Sequence, residues 1–289
     1  MPSPAEAVGL RSKVACTPLH AAAMDGNVAW ARKLIADGAA VDFPERGSGR
    51  TPLHYAAMFG NAEVAAVLVK NGAAPDLPDA SDKTPLDYAA LAGDVDTCRL
   101  LLDAGAVVDR PAAYGAVPLH RAAIANAPDC ILLLLEHGAD PDAVDENGWT
   151  PLQMACDRNS QRAVPVLLAA GADASAQTDA GWAPLHMAAA YSTVYIVGLL
   201  IKAGADPNLR DRDGYTPLHW AVLSFQKTES EACAVAKTLM EAGADRSLRN
   251  AEGDTAYDIA VRRSRDQLAR LLEPPPQDKG HRPSHVLPG

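Results

Sequence analysis

Cysteine is scarce in this sequence of 289 residues, and the five cysteines stand singly, without a C-x-x-C pair. An odd number of isolated cysteines argues against a disulfide framework and against a cysteine zinc site. Free cysteine is among the residue types most often buried. We therefore interpret all five as small core side chains in a protein of a reducing compartment: Cys16, Cys98, Cys130, Cys156 and Cys233.

The chain also lacks an excess of basic residues and long apolar stretches. It has 26 Lys and Arg against 36 Asp and Glu, a formal net charge of −10, which argues against binding to nucleic acid because phosphates need a Lys/Arg surface. Apolar runs such as residues 131–135 are far too short for a membrane span. Residues 1–10 lack the basic start and apolar core of a secretory signal. We expect a cytoplasmic protein, with the nucleus or delivery into a host cell left open.

Catalytic motifs are missing as well. The sequence contains no G-x-S-x-G elbow, no glycine-rich phosphate loop ending in Lys-Ser or Lys-Thr, and no H-E-x-x-H zinc pair. We therefore expect a protein that is not an enzyme, with no catalytic residue, no metal site and no cofactor.

What the sequence does contain is a repeated signature of the Thr-Pro-Leu-His type. It begins at residues 17, 51, 84, 117, 150, 183 and 216 and, in degraded form, at 255, so the steps are 33 or 34 residues until a last step of 39. A Gly-Ala pair follows each of the first six starts by 21 residues. Thr before Pro at the head of an apolar run predicts a helix start, since the hydroxyl can accept from free N–H groups and Pro suits the first helical position.

The two markers recur with the same period. In this the chain resembles the ankyrin repeat family, whose unit is a turn plus two helices with a T-P-L-H-x-A start. The resemblance implies an all-α solenoid of eight helix-turn-helix units joined by β-hairpin-like fingers, over residues 12–273. Residues 1–11 are then a loose lead, and the Pro-rich residues 274–289 a disordered tail. The low aromatic content, 5%, agrees with the long, thin core of a repeat array.

Five of the eight histidines occupy the same place in the repeat. Packed helices of successive units lie about 8–10 Å apart, so neighbouring histidines cannot readily share a metal ion that needs ligands at about 2 Å. The resemblance implies that these side chains bond the backbone of the turn and steady the finger. These structural histidines are His20, His54, His120, His186 and His219.

The residue before each Thr-Pro start is expected, from the resemblance, to point into the concave groove of the array. At this place the chain has Arg50 and Lys83, then Trp149, Trp182 and Tyr215 in three consecutive units. Exposed aromatic and Arg side chains supply much of the binding energy at interfaces, so these five are candidate partner-binding residues. The alternative is that the rings pack on one another and stiffen the array. Three residues near first-helix ends are expected to extend the same surface: Phe59, Arg158 and Tyr191.

We therefore predict a monomeric scaffold or adaptor that binds a partner protein or an extended peptide in this groove. A second hypothesis is a targeting subunit of an enzyme complex, which docks through the tail or through the six extra residues of unit seven, in or near 224–231. We expect Ser230 and Glu231 to open a fresh helix within this insert. Asn208 stands in a pattern that resembles ankyrin repeats hydroxylated on Asn, although Pro207 replaces the usual aliphatic residue.

Several departures from the repeat predict local differences. Asp82 replaces a turn glycine, and Asn126 and Asn159 replace the glycine between two helices. Pro128 should fit the first turn of its helix. Pro165 is expected either to kink or delay its helix or to lie in the first turn at little cost.

The eighth unit departs from the repeat as a terminal cap does. Its arginines are expected to give it a polar outer face, and the alternative is an acidic partner. These arginines are Arg262, Arg263, Arg265 and Arg270.

Overall fold

The computed structural model describes residues 16–274, so that the predicted lead at 1–11 and residues 275–289 of the predicted tail lie outside it. Within that range it has sixteen α-helices, which form eight antiparallel pairs, and no strand. The pairs are α1 Pro18–Met24 and α2 Val28–Ala36; α3 Pro52–Met58 and α4 Ala62–Lys70; α5 Pro85–Ala92 and α6 Val95–Asp103; α7 Pro118–Ile124 and α8 Pro128–Glu136; α9 Pro151–Asp157 and α10 Ala163–Ala169; α11 Pro184–Tyr191 and α12 Val194–Lys202; α13 Pro217–Leu223 and α14 Glu229–Glu241; α15 Ala256–Arg262 and α16 Asp266–Leu272.

The first helix of each pair begins where the signature predicts. At α9 the two capping bonds are reciprocal, because Gln153 N donates to Thr150 Oγ1 over 3.3 Å and Thr150 N donates to Gln153 Oε1 over 2.7 Å. Pro151 fills the first helical position, where its missing N–H costs nothing. The fold thus follows from local rules that the sequence repeats eight times.

A left-handed residue separates the two helices of most units. Gly60 and Gly93 have φ values of 67° and 70°, and the predicted substitutes Asn126 and Asn159 adopt 55° and 53°. Asn reaches this region more readily than most residues because its short polar side chain can bond locally. Asp82, in a finger, likewise has a φ of 55°.

The core is a thin layer between the helices of consecutive pairs. The leucine of each signature is fully buried, as are the two alanines that follow the histidine position in most units. Alanine has no side chain beyond Cβ, so the first helices of neighbouring units approach closely and pack along the whole array. The leucines of this layer are Leu19, Leu53, Leu86, Leu119, Leu152, Leu185 and Leu218.

The fingers are tight turns bonded to one another through the backbone. Glu146 N donates to Tyr114 O over 3.0 Å, and equivalent bonds such as that from Ala80 N to Ser48 O, 2.8 Å, join other neighbouring fingers. This pairing is confined to the turns and forms no regular strand in residues 16–274. The fingers therefore form one connected row along the edge of the helical stack.

Helix α10, in the fifth of the eight units, departs from the regular repeat. It begins at Ala163 and has seven residues, whereas α8 has nine. Pro165 is its third residue and so lies in the first turn, which delays the helix without a kink. An open cleft of about 510 Å³ lies beside it, lined by Leu132, Leu135, Glu136, Pro165, Val166, Ala169 and Ala170. Pro128, as predicted, is the first residue of α8.

The insert of unit seven lengthens the connection before α14. The helix is capped by Thr228, which forms a capping box with Glu231, so the predicted start at Ser230 is two residues too late. Arg265 holds the connection from below by donating to the backbone carbonyls of Val222, Ser224 and Lys227 over 2.8, 2.9 and 3.3 Å. Arg265 therefore stabilises the insert. The prediction that it lies on the polar outer face of the cap is wrong for this residue.

Candidate interaction surface

The histidines of the signature join each unit to the next. In unit four, His120 Nδ1 accepts from Val117 N over 3.2 Å, so Nε2 carries the proton and donates to Trp149 O of unit five over 2.9 Å. Burial lowers the pKa of all five histidines below the ordinary value and keeps the rings neutral. The acceptors in the following units are Arg50 O, Lys83 O, Trp149 O, Tyr215 O and Asp254 O.

Three units replace this histidine: Asp258 stands in the last unit, and the two replacements that precede another unit have different results. Gln153 reproduces both roles, because its Oε1 accepts from Thr150 N and its Nε2 donates to Trp182 O over 2.9 Å. Asp87 accepts from Thr84 but has no proton for the next unit, so Ala116 O receives only a bond from its own finger. The junction between units three and four therefore lacks the bond that joins the other units.

Two rows of side chains meet along the face that the resemblance to ankyrin repeats predicts to be concave, which we call the concave face. The finger row consists of the residues before each start, and the helix row consists of the residues after each histidine position. They are in contact: Arg50 Nε donates to Tyr88 OH over 3.1 Å, and Lys83 Nζ lies 5.6 Å from the centre of the Tyr88 ring. In units two to seven the finger row is Arg50, Lys83, Ala116, Trp149, Trp182 and Tyr215, and the helix row is Tyr55, Tyr88, Arg121, Met154, Met187 and Trp220.

Units six and seven carry an aromatic cluster, which we define as Trp182, Tyr215 and Trp220. The ring centres of Trp182 and Trp220 are 4.5 Å apart in an edge-to-face arrangement, and those of Tyr215 and Trp220 are 5.8 Å apart. Trp220 Nε1 donates to Asp211 Oδ2 over 2.9 Å, which fixes its ring. All three rings pack on the core and are only partly buried, so each keeps part of its surface accessible.

The structure divides the predicted row of three aromatic residues. Trp182 and Tyr215 are brought together by Trp220, whereas Trp149 makes no ring contact with them within residues 16–274. Trp149 is half-buried against the core, and its backbone N donates to Asp145. In the aromatic cluster the rings pack on one another and also keep part of their surface exposed. The two alternatives, stiffening of the array and contact with a partner, therefore do not exclude each other there.

Units two to four carry a second group that combines cations with tyrosines. The guanidinium of Arg50 lies 5.2 Å from the centre of the Tyr88 ring, and Tyr88 OH donates to Asp79 Oδ2 over 2.7 Å. Arg121 Nε lies 3.9 Å from Asp87 Oδ1. Burial raises the pKa of the Tyr88 hydroxyl to about 12, so it remains a donor at neutral pH.

The remaining predicted residues lie at the ends of first helices. Phe59 is 55% exposed and stacks on Tyr55 with ring centres 6.5 Å apart. Tyr191 is half-buried against the core. Arg158 is exposed and pairs with its chain neighbour Asp157 over 3.2 Å. Phe59 and Arg158 are therefore available at the surface, and Tyr191 only in part.

The helix row, above all Tyr88, Arg121 and Trp220, was not predicted from the sequence. The signal was present: large or charged side chains recur immediately after the histidine position, where the first helices otherwise carry buried alanine and leucine. The contacts of Tyr88 with Arg50 and Lys83 show that a residue at this position lies beside the finger row.

The arrangement is suited to contact with another molecule. Within residues 16–274, no three histidine, cysteine or acidic side chains come close enough to hold a metal ion. No helix in the same range has the length and apolar character needed to cross a membrane. The concave face carries partly exposed aromatic rings and guanidinium groups, which are held in place by contacts between units. Aromatic and Arg side chains are the ones that dominate binding at protein interfaces.

Comparisons with known proteins agree with this architecture. A family model for three copies of the ankyrin repeat matches at residues 5–79, 71–145, 107–178, 163–250 and 196–282. The crystal structure of the human ASB11 ankyrin repeat domain is similar, with a TM-score of 0.71, 28% sequence identity, and coverage of 80% of this chain and 99% of that chain. A search of curated proteins found no match. The matched segments span all eight helix pairs.

Proposed function

Because the chain belongs to the ankyrin repeat family, whose members are generally protein–protein interaction modules, we propose that it is a non-enzymatic scaffold or adaptor that binds a partner through its concave face. The partner is a protein surface or an extended peptide that lies along the finger and helix rows.

The observation that carries the proposal is the aromatic cluster. Trp182, Tyr215 and Trp220 touch one another and the core, so their rotamers are fixed before binding, and little conformational entropy is lost when a partner covers them. The exposed apolar surface of the two tryptophans is unfavourable in water, so a partner that buries it gains binding free energy. Rigid aromatic anchors of this kind are typical binding hot spots.

The dimensions of the face favour a macromolecular partner. Eight units at about 8–10 Å each give a surface roughly 60–80 Å long, and a standard interface of about 800 Å² per partner occupies only part of it. Small-molecule sites are usually cavities enclosed on several sides, whereas this face is the open side of a single-layer stack. An extended segment uses the length of the surface best.

Substitution of the cluster tests the proposal. The variant with Trp182→Ala, Tyr215→Ala and Trp220→Ala is compared with Tyr195→Ala, which removes an exposed ring from the outer helix α12. Crosslinking capture from the native cell, quantified by mass spectrometry, should lose its specific partner with the triple variant and keep it with the control. Far-UV circular dichroism must show equal helix content for both. Undiminished capture by the triple variant would place binding on another surface.

A second candidate function, docking to an enzyme complex through the insert, is favoured by one feature. Phe225 is 85% exposed, and the guanidinium of Arg263 lies 4.8 Å from the centre of its ring. Arg265 braces the loop that presents it. For this function, Phe225→Ser removes an associated activity while the triple aromatic variant keeps it; the opposite pattern supports the concave face.

A further inference from the structure

The concave face is divided into two chemically different halves. In units two to four, the finger and helix rows carry three cations, Arg50, Lys83 and Arg121, and no acidic residue. In units five to seven the same two rows carry no charge: Met187 is fully buried, and the partly exposed side chains are Trp149, Met154, Trp182, Tyr215 and Trp220. This division stands out in a chain whose formal net charge is −10.

The carboxylates that balance these cations lie beneath them. The side chain of Arg50 is 32% exposed and that of its partner Asp79 is 2% exposed. The corresponding values are 18% for Arg121 and 1% for Asp87. Lys83 forms no ion pair within residues 16–274 and only lies over the Tyr88 ring. The exposed charge of the finger and helix rows is therefore positive in these units, because Asp79 and Asp87 are covered by the fold; Asp82, at the tip of the finger beside Lys83, is an exposed carboxylate outside the two rows.

The three cations differ in how far the fold already satisfies them. Arg121 Nε and Asp87 Oδ1 are buried, 3.9 Å apart, and neither has a hydrogen-bond partner. Arg50 bonds Asp79 and Tyr88 through Nε, and Tyr55 is a further hydrogen-bond partner of its side chain. Lys83 has no ion pair in the described part of the chain, so its ammonium group is the cation most open to a carboxylate of a partner.

We propose that the partner segment is bipartite, with acidic side chains over units two to four and large apolar side chains on the aromatic cluster of units six and seven. This inference rests on the proposed function, since it specifies the chemistry of the partner in the same groove. Charge complementarity fixes the position of the acidic part, and the uncharged aromatic half fixes that of the apolar part.

The spacing of the two halves sets the length of the segment. Three to four units separate the centres of the cationic group and the aromatic cluster, roughly 25–40 Å at about 8–10 Å per unit. An extended chain covers this distance with about 8–12 residues at about 3.3 Å each. The acidic residues and the apolar anchor should therefore be about ten residues apart, and a segment with the two parts adjacent should engage only one half.

Selection from a displayed library of random 20-residue peptides on the full chain tests this inference. Enriched peptides should contain an acidic group and an aromatic or aliphatic group about ten residues apart. A synthetic consensus peptide should bind about 3-fold more weakly to Lys83→Gln and about 10-fold more weakly to the double variant with Arg121→Gln, since each exposed ion pair contributes modestly. The control, Arg99→Gln with Lys202→Gln, removes the same charge from outer helices and should bind normally.

The outcomes separate this inference from the proposed function. Peptides that require Trp182 and Trp220 but show no acidic enrichment and no effect of Lys83→Gln overturn the inference and leave the function standing. Peptides that bind equally to the triple aromatic variant contradict both. A 20-nucleotide RNA that binds more tightly than the peptide, at the same cations, overturns the inference in favour of nucleic acid. Support also requires that the effect of Lys83→Gln weakens at high salt.

Discussion

The histidine of the repeat acts at the scale of a single residue as a bond between units. Its Nδ1 caps its own helix and its Nε2–H donates to a backbone carbonyl of the next unit, as His120 does for Trp149 O. Both ring nitrogens are thus used inside the protein, and burial keeps the imidazole neutral. With both ring nitrogens engaged in hydrogen bonds, none of the five histidines has a free lone pair to offer a metal ion or a substrate proton.

We predict that His120→Ala lowers the free energy of unfolding by about 2–3 kcal/mol, because it leaves a buried N–H and a carbonyl without their partner and removes a packed ring. Urea unfolding followed by circular dichroism measures the change. The control is His137→Ala, an exposed histidine with one local bond to Leu133 O, which should change stability by less than about 0.5 kcal/mol. Equal effects of the two substitutions would contradict the role of the bond between units.

The same histidines predict that acid destabilises the array. Their pKa values are lowered in the folded chain, whereas in the unfolded chain they are near 6.5. As the pH falls below about 6.5, the unfolded state binds protons that the folded state does not, so stability decreases with falling pH and is restored above it. The unfolding free energy should drop by at least about 1 kcal/mol between pH 7 and pH 5.

A variant with His54→Gln and His120→Gln provides the matched comparison, because Gln153 shows that glutamine keeps both hydrogen bonds and cannot be protonated. Its stability should depend less on pH over the same range. A slope unchanged from that of the parent would assign the pH dependence to other groups.

At the scale of elements, helix starts were predictable and loop contacts were not. Pro18, Pro52, Pro85 and the later prolines begin their helices where the signature places them, since capping and proline geometry are local. The start of α14 was misplaced because both Thr228 and Ser230 are suitable caps, and Glu231 selects Thr228 by closing the capping box. Arg265 could not be assigned, because its acceptors lie in the preceding unit.

We predict that Arg265→Ala loosens the insert while the rest of the array persists. Three backbone carbonyls lose a charged donor, which corresponds to about 2 kcal/mol. Hydrogen exchange should accelerate in the connection from Val222 to Thr228 and at the start of α14. Arg270→Ala, on the exposed side of α16, should leave these rates unchanged; acceleration by both variants would point to a general loss of stability of the cap.

At the scale of the whole molecule, the eight-unit array was predictable and the partition of its concave face was not. The period identifies the fold because every unit obeys the same rules. The position of Trp220 between Trp182 and Tyr215 depends on side chains from two units that meet only after the units are packed. The same holds for Arg121 and Asp87, 34 residues apart in the chain and in contact across one junction.

The junction at Asp87 lacks one hydrogen bond between units, and restoring this bond should stabilise the array. Asp87→His should restore the missing bond to Ala116 O and remove a buried carboxylate whose pKa is raised by burial. The free energy of unfolding should rise by roughly 1 kcal/mol, and hydrogen exchange should slow in units three and four. Gln153→His, which exchanges one donor for another, should change neither. A lower free energy of unfolding for Asp87→His would mean that the loss of the carboxylate beside Arg121 costs more than the new hydrogen bond to Ala116 O contributes.

The hydrogen bond that joins most of the units ends on a main-chain atom. The histidine or glutamine donates to a main-chain oxygen of the finger base, as at Lys83, Trp182 and Tyr215, and every amino acid supplies that oxygen. The side chain on the same residue takes no part in this hydrogen bond, although at Arg50 and Trp182 it contacts a side chain of the next unit. A substitution at these positions therefore keeps the main-chain bond between units while it changes the surface of the finger row, which on the proposed function is where selectivity for a partner would lie.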